Sequence, residues 1–268
     1  MPTPAWKNLL TLAAVLGLLV AVNFLPPDTS FRQVREAGVL RVCVPTEFPP
    51  LVMRGGEQEG IDVEIVQAVA QDLDLRLSLN TNSAMGRDFN PRNWRVTRAQ
   101  CQLLAGGVVA SPTTRSFLET TSPHMETGWA LVAPSDLQSL DGKQVGFFSG
   151  ISGLDRISLS RYLREQGARA SVVNSRADLA EGILDGTFDA GVTEALTARQ
   201  IAGEHGLQAA WLPGERYPLV LGLWKGDLTL KREVEAALRD LERSGGLQAI
   251  LDRYELAPIE EECGDVCV

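Results

Sequence analysis

The strongest constraint on the fold is the regular alternation of short apolar runs with helical patterns between residues 140 and 203. Each apolar run has the length of a strand, and each following segment spaces its apolar residues at helical intervals. Such an alternation predicts an α/β architecture in which helices connect parallel strands. The predicted order is strand 144–148, helix 155–166, strand 170–173, helix 178–185, strand 188–192 and helix 194–203.

The rest of the chain carries the same kind of pattern. Leu40–Val44 is a short apolar run, and Leu75–Leu79 alternates as a strand. Between them, Asp62 is predicted to cap a helix whose apolar residues recur at helical spacing. Residues 80–100 are rich in Asn and Arg and predict a polar excursion with one short helix. Two more helices are predicted near the C-terminus, over residues 231–243 and through residues 247–254.

The N-terminal residues 1–27 differ in composition from the rest of the chain. Lys7 is followed by the uncharged apolar run Leu9–Val22, which ends before Pro26 and Pro27. This order of a positive charge and an apolar run predicts an export signal. Whether the segment is cleaved is left open, because an Ala-x-Ala site is absent at its end and an uncleaved N-terminal anchor is the alternative. In both cases the chain is expected to leave the cytoplasm.

Composition and charge exclude several classes of protein. Lys and Arg total 25 against 34 Asp and Glu, which gives a net charge of −9 and argues against a nucleic-acid partner. Only two His are present, and the familiar nucleotide-binding and hydrolase motifs are absent. We therefore expect neither an enzyme nor a metal or cofactor site.

The four cysteines are an even number in a chain predicted to be exported, which favours disulfides over zinc ligation. Cys43 and Cys101 each lie in an apolar, strand-like segment, so two neighbouring strands could be joined there. Cys263 and Cys267 would then close a short loop at the C-terminus. Three pairings are possible, and two separate buried thiols at Cys43 and Cys101 are a further alternative.

Several sequence blocks, taken in order, resemble the family 3 extracellular solute-binding proteins, which usually deliver polar amino acids to ABC importers. The similarity covers about residues 38–256. The blocks are an opening strand and Phe-Pro-Pro loop (40–50), Glu-Gly-Ile-Asp-Val-Glu-Ile (59–65), a strand followed by Arg115 and Ser122-Pro123, Leu-Asp-Gly-Lys and its glycine-rich loop (140–153), and Gly-Thr-Phe-Asp-Ala with Glu194 (186–194).

The resemblance implies a type II periplasmic-binding-protein fold with two α/β lobes and a ligand cleft between them. The lobes are expected at residues 28–132 plus 222–268, and at residues 133–221. A small ligand would be buried in the cleft, and the protein is expected to be a monomer. Its partner would be an ABC transporter permease. Contact with the membrane would be made only through the N-terminal segment. No cofactor is implied.

The resemblance also implies a set of ligand-binding residues, each with a structural alternative. Arg115 matches the family arginine that grips a ligand carboxylate, and otherwise is a surface residue. Ser149 and Ser152 match the loop of the second lobe that meets the same carboxylate, and otherwise form a simple turn. Glu194 falls where the family has an Asp that pairs with an ammonium group, and otherwise is a carboxylate at a helix N-terminus. Phe48 would stack on the ligand or belong to the core.

The sequence also departs from the family pattern. Ala110 replaces a Thr, and the family's Thr-Pro-Glu-Arg becomes the segment 111–115. His124 and Met125 stand where an aromatic pair is common. These changes remove part of the corner that binds an ammonium group, so a carboxylate ligand without that group is an option. An accessory or sensor role in a periplasmic quinoprotein dehydrogenase system and a dehydratase-like enzyme on the same fold are the alternative functions.

Overall fold

Two mixed β-sheets flanked by helices form the protein in the computed structural model, which describes residues 5–22, 27–55, 58–85, 90–149, 154–256 and 259–260. The α-helices are α1 (Ala5–Val22), α2 (Ser30–Ala37), α3 (Ile61–Asp72), α4 (Pro112–Phe117), α5 (Arg156–Glu165), α6 (Arg176–Leu184), α7 (Ala195–His205), α8 (Leu228–Arg243) and α9 (Gly246–Asp252). The strands are β1 (Val39–Pro45), β2 (Arg76–Asn82), β3 (Leu103–Val109), β4 (Leu118–Thr120), β5 (Met125–Thr127), β6 (Trp129–Ala133), β7 (Gln144–Phe147), β8 (Arg169–Val172), β9 (Ala190–Glu194), β10 (Gln208–Trp211), β11 (Tyr217–Trp224) and β12 (Ile259–Glu260).

The first sheet has the order β2-β1-β3-β11-β4, and β5 also pairs with β11. Strands β2, β1 and β3 are parallel, whereas β11 runs antiparallel to β3. Alternate residues of β1 face opposite sides. Leu40 and Val42 belong to the apolar cluster that also contains Val66 of α3 and Val234 of α8, while Cys43 belongs to a separate cluster on the other side. Because both faces are covered, the strand reads as a continuous apolar run.

The second sheet has the order β12-β10-β6-β9-β7-β8. Strands β7, β8 and β9 are parallel, and β6 is antiparallel to β9. Helix α6 lies close to this sheet because glycines make room for the ring of Phe188. A Cβ atom at Gly146 would come within 2.7 Å of that ring, and one at Gly182 within 2.5 Å. The predicted alternation of strands and helices from residue 144 onward is therefore confirmed.

The chain passes between the two sheets at identifiable strands. The first crossing runs from β5 through Gly128 to β6, and the second runs from β10 to β11. After α9 the chain returns to the second sheet, where β12 pairs in parallel with β10. The sequence had assigned residues 222–268 to the first lobe, and Ile259 and Glu260 depart from that assignment. Strand β10 is the acceptor because its outer edge presents backbone groups that no other described strand covers.

The N-terminal apolar run forms the 18-residue helix α1. Five of its leucines are exposed, namely Leu9, Leu10, Leu12, Leu16 and Leu18, with Leu9 72% accessible. Among the described residues, every helix is too short or too polar to cross a membrane. The export signal stays a prediction.

Residues 80–100 carry less regular structure than the rest of the first lobe. Within the described part of this stretch, the short helix is the 3₁₀ turn Pro91–Trp94, in which the Asn90 side chain accepts a hydrogen bond from the N–H of Arg92. Trp94 is buried in the same apolar cluster as Cys43 and Cys101, so the polar excursion covers the face of the first sheet that carries Cys43.

Candidate functional site

The residues predicted to bind a ligand lie on different segments of the chain. Phe48 follows β1, Arg115 lies on α4, Ser149 follows β7, and Glu194 ends β9. Ser152 lies outside the described residues. The structure therefore allows each of the other four to be assessed by its contacts.

Phe48 lies in a tight loop and is half-buried. Its N–H donates to the carbonyl of Val52 over 2.7 Å, and the Val52 N–H donates back over 2.9 Å. The ring packs against the apolar cluster of the first lobe and against the cluster that continues into the second lobe. This position between the lobes is compatible with both the stacking role and the core role.

Helix α4 carries the predicted ligand-binding arginine on its exposed side. Ser111 caps the helix, since its hydroxyl accepts the N–H of Thr114 over 3.1 Å. Thr114 is 1% exposed, whereas the next residue, Arg115, is exposed. The family pattern has a Glu before the arginine. In this chain the residue before Arg115 is the neutral Thr114, and it faces inward. Within the described residues, the exposed Arg115 side chain has no ion-pair partner.

Asp62 is fully buried and joins separate parts of the first lobe. Its Oδ2 accepts the N–H groups of Gly106 over 2.7 Å and Gly107 over 3.0 Å, and its Oδ1 lies 2.9 Å from Nε2 of His124. The predicted helix cap was wrong, because the N-cap is Gly60 and the Asp62 side chain points to β3 instead. Gly106 and Gly107 have φ values of +90° and +87°. This conformation suits glycine and directs both N–H groups to one carboxylate.

The charge state of Asp62 follows from these contacts. Burial alone raises the pKa of a carboxyl group, but the charge and hydrogen bond of His124 and the N–H groups of Gly107 and Gly106 outweigh it. The pKa of Asp62 is therefore lowered. The carboxylate is ionised, and it is stabilised by groups that come from a neighbouring strand and from the segment leading into the first crossing.

His124 is the second member of this buried pair. Its side chain is 3% exposed, and its backbone N–H donates to the carbonyl of Leu219 on β11 over 3.1 Å. Nδ1 is enclosed and has no hydrogen-bond partner among the described residues. His124 departs from the family pattern, and its partner could not be predicted from the sequence, since Asp62 lies 62 positions earlier.

Glu194 is also fully buried, yet its contacts are mostly local. Oε1 accepts the hydroxyl of Thr127 and the N–H of Leu196, and Oε2 accepts the N–H and the hydroxyl of Thr197. Two oxygens with two lone pairs each are thereby occupied. Burial raises the pKa of Glu194, and these four hydrogen bonds oppose that shift only in part. The geometry favours the helix-cap alternative over the ammonium site.

Asp155 ties the loop after β7 to the crossing strands. Its side chain caps α5 by accepting the N–H groups of Ile157 and Ser158, over 2.9 and 3.1 Å. Its carbonyl accepts Nε1–H of Trp129, the first residue after the first crossing, over 3.0 Å. The Trp129 ring lies 5.4 Å from that of Phe147, edge to face. Ser149 is half-buried in the same loop. The sequence alone predicted no role for Trp129 or for the Asp155 side chain.

One disulfide is present in the described residues. It joins Cys43 in β1 to Cys101, which precedes β3, with a Cα–Cα distance of 5.6 Å. Both cysteines are at most 2% exposed. Cys263 and Cys267 lie outside the described residues, so their pairing stays a prediction. The part of the chain that the structure describes holds no cluster of three or more His, Cys, Asp or Glu that could bind a metal ion.

Known proteins with similar sequences fall into two groups. The membrane-bound lytic murein transglycosylase F of Pseudomonas putida is 23% identical over 269 aligned residues, which cover 91% of this chain and 51% of that protein. A probable amino-acid ABC transporter-binding protein of Haemophilus influenzae is 22% identical, with 91% of this chain and 95% of the relative covered. The chain thus spans about half the length of the transglycosylase and nearly all of the binding protein.

Solved structures share the fold. An ancestral cationic amino acid solute-binding protein (AncCDT-1) superposes with a TM-score of 0.69 at 17% identity, over 84% of this chain and 99% of that one. An ABC uptake transporter substrate-binding protein from Streptococcus pneumoniae with bound histidine gives 0.65 at 17% identity, over 86% and 98%. These likenesses establish the two-lobed α/β fold that the sequence predicted.

The sequence profile of one family matches most of the chain. Residues 40–257 fit the bacterial extracellular solute-binding proteins, family 3. The match includes most of both sheets, both crossings and the segments that carry Phe48, Arg115 and Glu194. This chain therefore belongs to family 3 of the bacterial extracellular solute-binding proteins.

Proposed function

We propose that this protein is a periplasmic receptor that captures a small polar ligand bearing a carboxylate between its two lobes and delivers it to an ABC importer. Membership of the family supports the binding role. The relative that is covered over nearly its whole length is named an amino-acid ABC transporter-binding protein. In this proposal the protein performs no catalysis.

The observation that carries the ligand class is the saturation of Glu194. Its four acceptor positions are filled by Thr127, Leu196 and Thr197. An ammonium group would have to displace one of these donors from a fully buried carboxylate. In the first lobe, Ala110 supplies no side-chain oxygen. The ligand we propose is therefore an organic acid without an α-ammonium group, rather than a standard amino acid.

Arg115 is the proposed partner of the ligand carboxylate. A guanidinium can donate two parallel hydrogen bonds to a carboxylate, and Arg115 is exposed on the helix that follows β3. Ser149, and Ser152 outside the described residues, would meet the same group from the second lobe. Phe48 would pack on the apolar part of the ligand.

A second candidate function is ligand sensing on behalf of another periplasmic protein. The observation that favours it is that transglycosylase F relatives match the same region at about the same identity as the transport relative. In those relatives the matched region is about half of the protein. A binding module of this kind would change shape when it captures its ligand, and it would signal to another protein instead of delivering the ligand to a permease.

The ligand class can be tested with matched pairs of acids. Mass spectrometry of small molecules retained by the protein purified from the periplasm would supply candidates. Calorimetric titration would then compare an L-amino acid with the 2-oxo acid of the same carbon skeleton. The proposal expects the 2-oxo acid to bind at least as tightly. Tight binding of amino acids alone would overturn the assignment of Glu194 as a closed cap.

The carboxylate partner can be tested with a second matched pair of variants. Arg115→Ala should weaken binding of the acid by about 2–5 kcal/mol, much of it the cost of leaving the ligand carboxylate unpaired. Arg35→Ala, which removes an exposed arginine from α2, is the control and should leave the affinity unchanged. Equal affinity of the Arg115 variant and the control would show that Arg115 is a surface residue.

A further inference from the structure

The first crossing strand is held at both ends by buried carboxylates. On the side of the first lobe, His124 immediately precedes β5 and is bonded to Asp62. On the side of the second lobe, Thr127 ends β5 and donates its hydroxyl to Glu194. Only Met125 and Glu126 lie between these two anchors.

The anchor at Asp62 reaches further into the first lobe than a single contact would. The same carboxylate holds Gly106 and Gly107 of β3, which lead within four residues to Ser111 and the helix that carries Arg115. It also sits in the first turn of α3, and its backbone N–H donates to the carbonyl of Leu51 in the loop of Phe48 over 3.1 Å. Asp62 thus connects the start of the crossing with the segments proposed to bind the ligand.

We propose that Asp62 and His124 are positioning residues that fix the first crossing to the binding edge of the first lobe, so that bending of this crossing is confined to Met125 and Glu126, together with Leu219 and Pro218, which pair with them on β11. An anchored strand end cannot rotate freely, and the change in backbone angles must occur in the short stretch between the anchors. His124 is required for this because its ring nitrogen is the one group of the crossing segment that bonds to Asp62 among the described contacts. The inference rests on the proposed ligand-clamp function, since it concerns the motion that would close the cleft.

The decisive variants differ in whether they keep a hydrogen-bond donor. His124→Phe fills the space of the ring but has no N–H to offer Asp62. His124→Gln keeps an amide donor near the position of Nε2. His205→Phe changes the other histidine of the chain, which is exposed at the end of α7, and is the control. If His124→Phe does not fold, His124→Asn, whose amide is too short to reach Asp62, takes its place.

The lobe distance is measured in the protein without ligand, so that failure to identify a ligand does not affect the result. Spin labels are attached to Asp72→Cys on α3 and Glu165→Cys on α5, both exposed, after replacement of Cys263 and Cys267 by Ser. Pulsed electron paramagnetic resonance then gives the distribution of distances between the lobes. Hydrogen exchange of Met125–Thr127 reports the freedom of the crossing.

The proposal expects a wider distance distribution for His124→Phe and exchange at Met125–Thr127 faster by about tenfold, which corresponds to about 1.4 kcal/mol. His124→Gln and the His205→Phe control should resemble the original protein. Two results would overturn it. One is an unchanged distance distribution in His124→Phe despite a lower melting temperature, which would leave the pair a purely structural role. The other is a Gln variant that moves like the Phe variant.

Discussion

A buried carboxylate lies at the start of a helix in each lobe, Asp62 in the first and Glu194 in the second, and the two are held in opposite ways. Asp62 of the first lobe receives its hydrogen bonds from β3 and from His124, all distant in sequence. Glu194 of the second lobe receives three of its four from the first turn of its own helix. The pKa of Asp62 is lowered, because the charge and hydrogen bond of His124 and the N–H groups of Gly107 and Gly106 outweigh burial. The pKa of Glu194 is raised, because burial outweighs its hydrogen bonds.

A buried carboxylate therefore connects distant segments of the chain in the first lobe, whereas in the second lobe it caps its own helix. The first lobe also carries the Cys43–Cys101 disulfide, whereas the described part of the second lobe has none. We infer that the first lobe is the more cross-linked body and that the second lobe depends on packing and helix caps. The following predictions test that contrast.

Removing the disulfide should have the largest effect, and it should fall on the first lobe. The bridge closes a sequence separation of 58 residues. A loop of this size stabilises the folded state by about 4 kcal/mol when the entropy of the unfolded chain is considered alone. Cys43→Ser with Cys101→Ser should therefore lower the free energy of unfolding and speed hydrogen exchange in β1–β3 more than in β7–β9. Cys263→Ser with Cys267→Ser, four positions apart, should cost less. Equal acceleration in both sheets would contradict the contrast.

Loss of the Asp62 carboxylate should be the next most damaging change. Asp62→Ala leaves two backbone N–H groups and His124 buried without their acceptor, which costs about 3 kcal/mol. Asp72→Ala removes an exposed carboxylate from the other end of α3 and should stay within about 0.5 kcal/mol. Urea unfolding followed by circular dichroism measures both. A small effect of Asp62→Ala would mean that water replaces the carboxylate and that the connection between the segments is weak.

Loss of the Glu194 charge should cost less and act locally. In Glu194→Gln, the amide NH₂ replaces an oxygen that accepts two hydrogen bonds, so buried donors are left unpaired. This should lower the free energy of unfolding by about 2 kcal/mol. Glu165→Gln on the exposed side of α5 is the control. Hydrogen exchange should rise mainly in the first turn of α7. Equally strong acceleration in β3 would show that Glu194, too, connects distant parts of the chain.

The pH dependence of stability should separate the two carboxylates with opposite signs. Asp62 has a lowered pKa in the folded state, so its contribution is present above the ordinary pKa of Asp, about 3.9, and is lost as the pH falls through the lower folded value. Glu194 has a raised pKa in the folded state, so stability declines as the pH rises from about 4.3 through the folded value. Denaturant titrations at several acid pH values give the free energy of unfolding as a function of pH. This curve should become flatter below about pH 4 in Asp62→Asn, and flatter above about pH 4 in Glu194→Gln. Identical profiles for the two variants would contradict the assignment.

The sequence predicted the regular part of the fold because strands and helices leave periodic apolar patterns. The elements from Gln144 to His205 were predicted within a few residues, and the parallel neighbours β1 and β3 agree with the disulfide. Strand β12 was missed because two residues are too few for a periodic signal, and its pairing depends on an edge formed by β10, far away in sequence.

The candidate site was less predictable, because roles there depend on distant partners. Asp62 has the sequence context of a helix cap, and only the folded chain brings Gly106, Gly107 and His124 to it. The ammonium role of Glu194 came from a position in the family pattern, whereas the number of donors around it is visible only in three dimensions. The family pattern also could not tell that Thr114 turns inward and Arg115 outward on α4.

The central claim, that the protein is a receptor that closes on a captured acid, is tested most directly by small-angle X-ray scattering. The radius of gyration would be measured without ligand and at saturation with an acid whose binding calorimetry has established. We expect a smaller radius of gyration on binding, as the second lobe moves toward the first about the crossing strands. A ligand that binds tightly and leaves the scattering curve unchanged would contradict it.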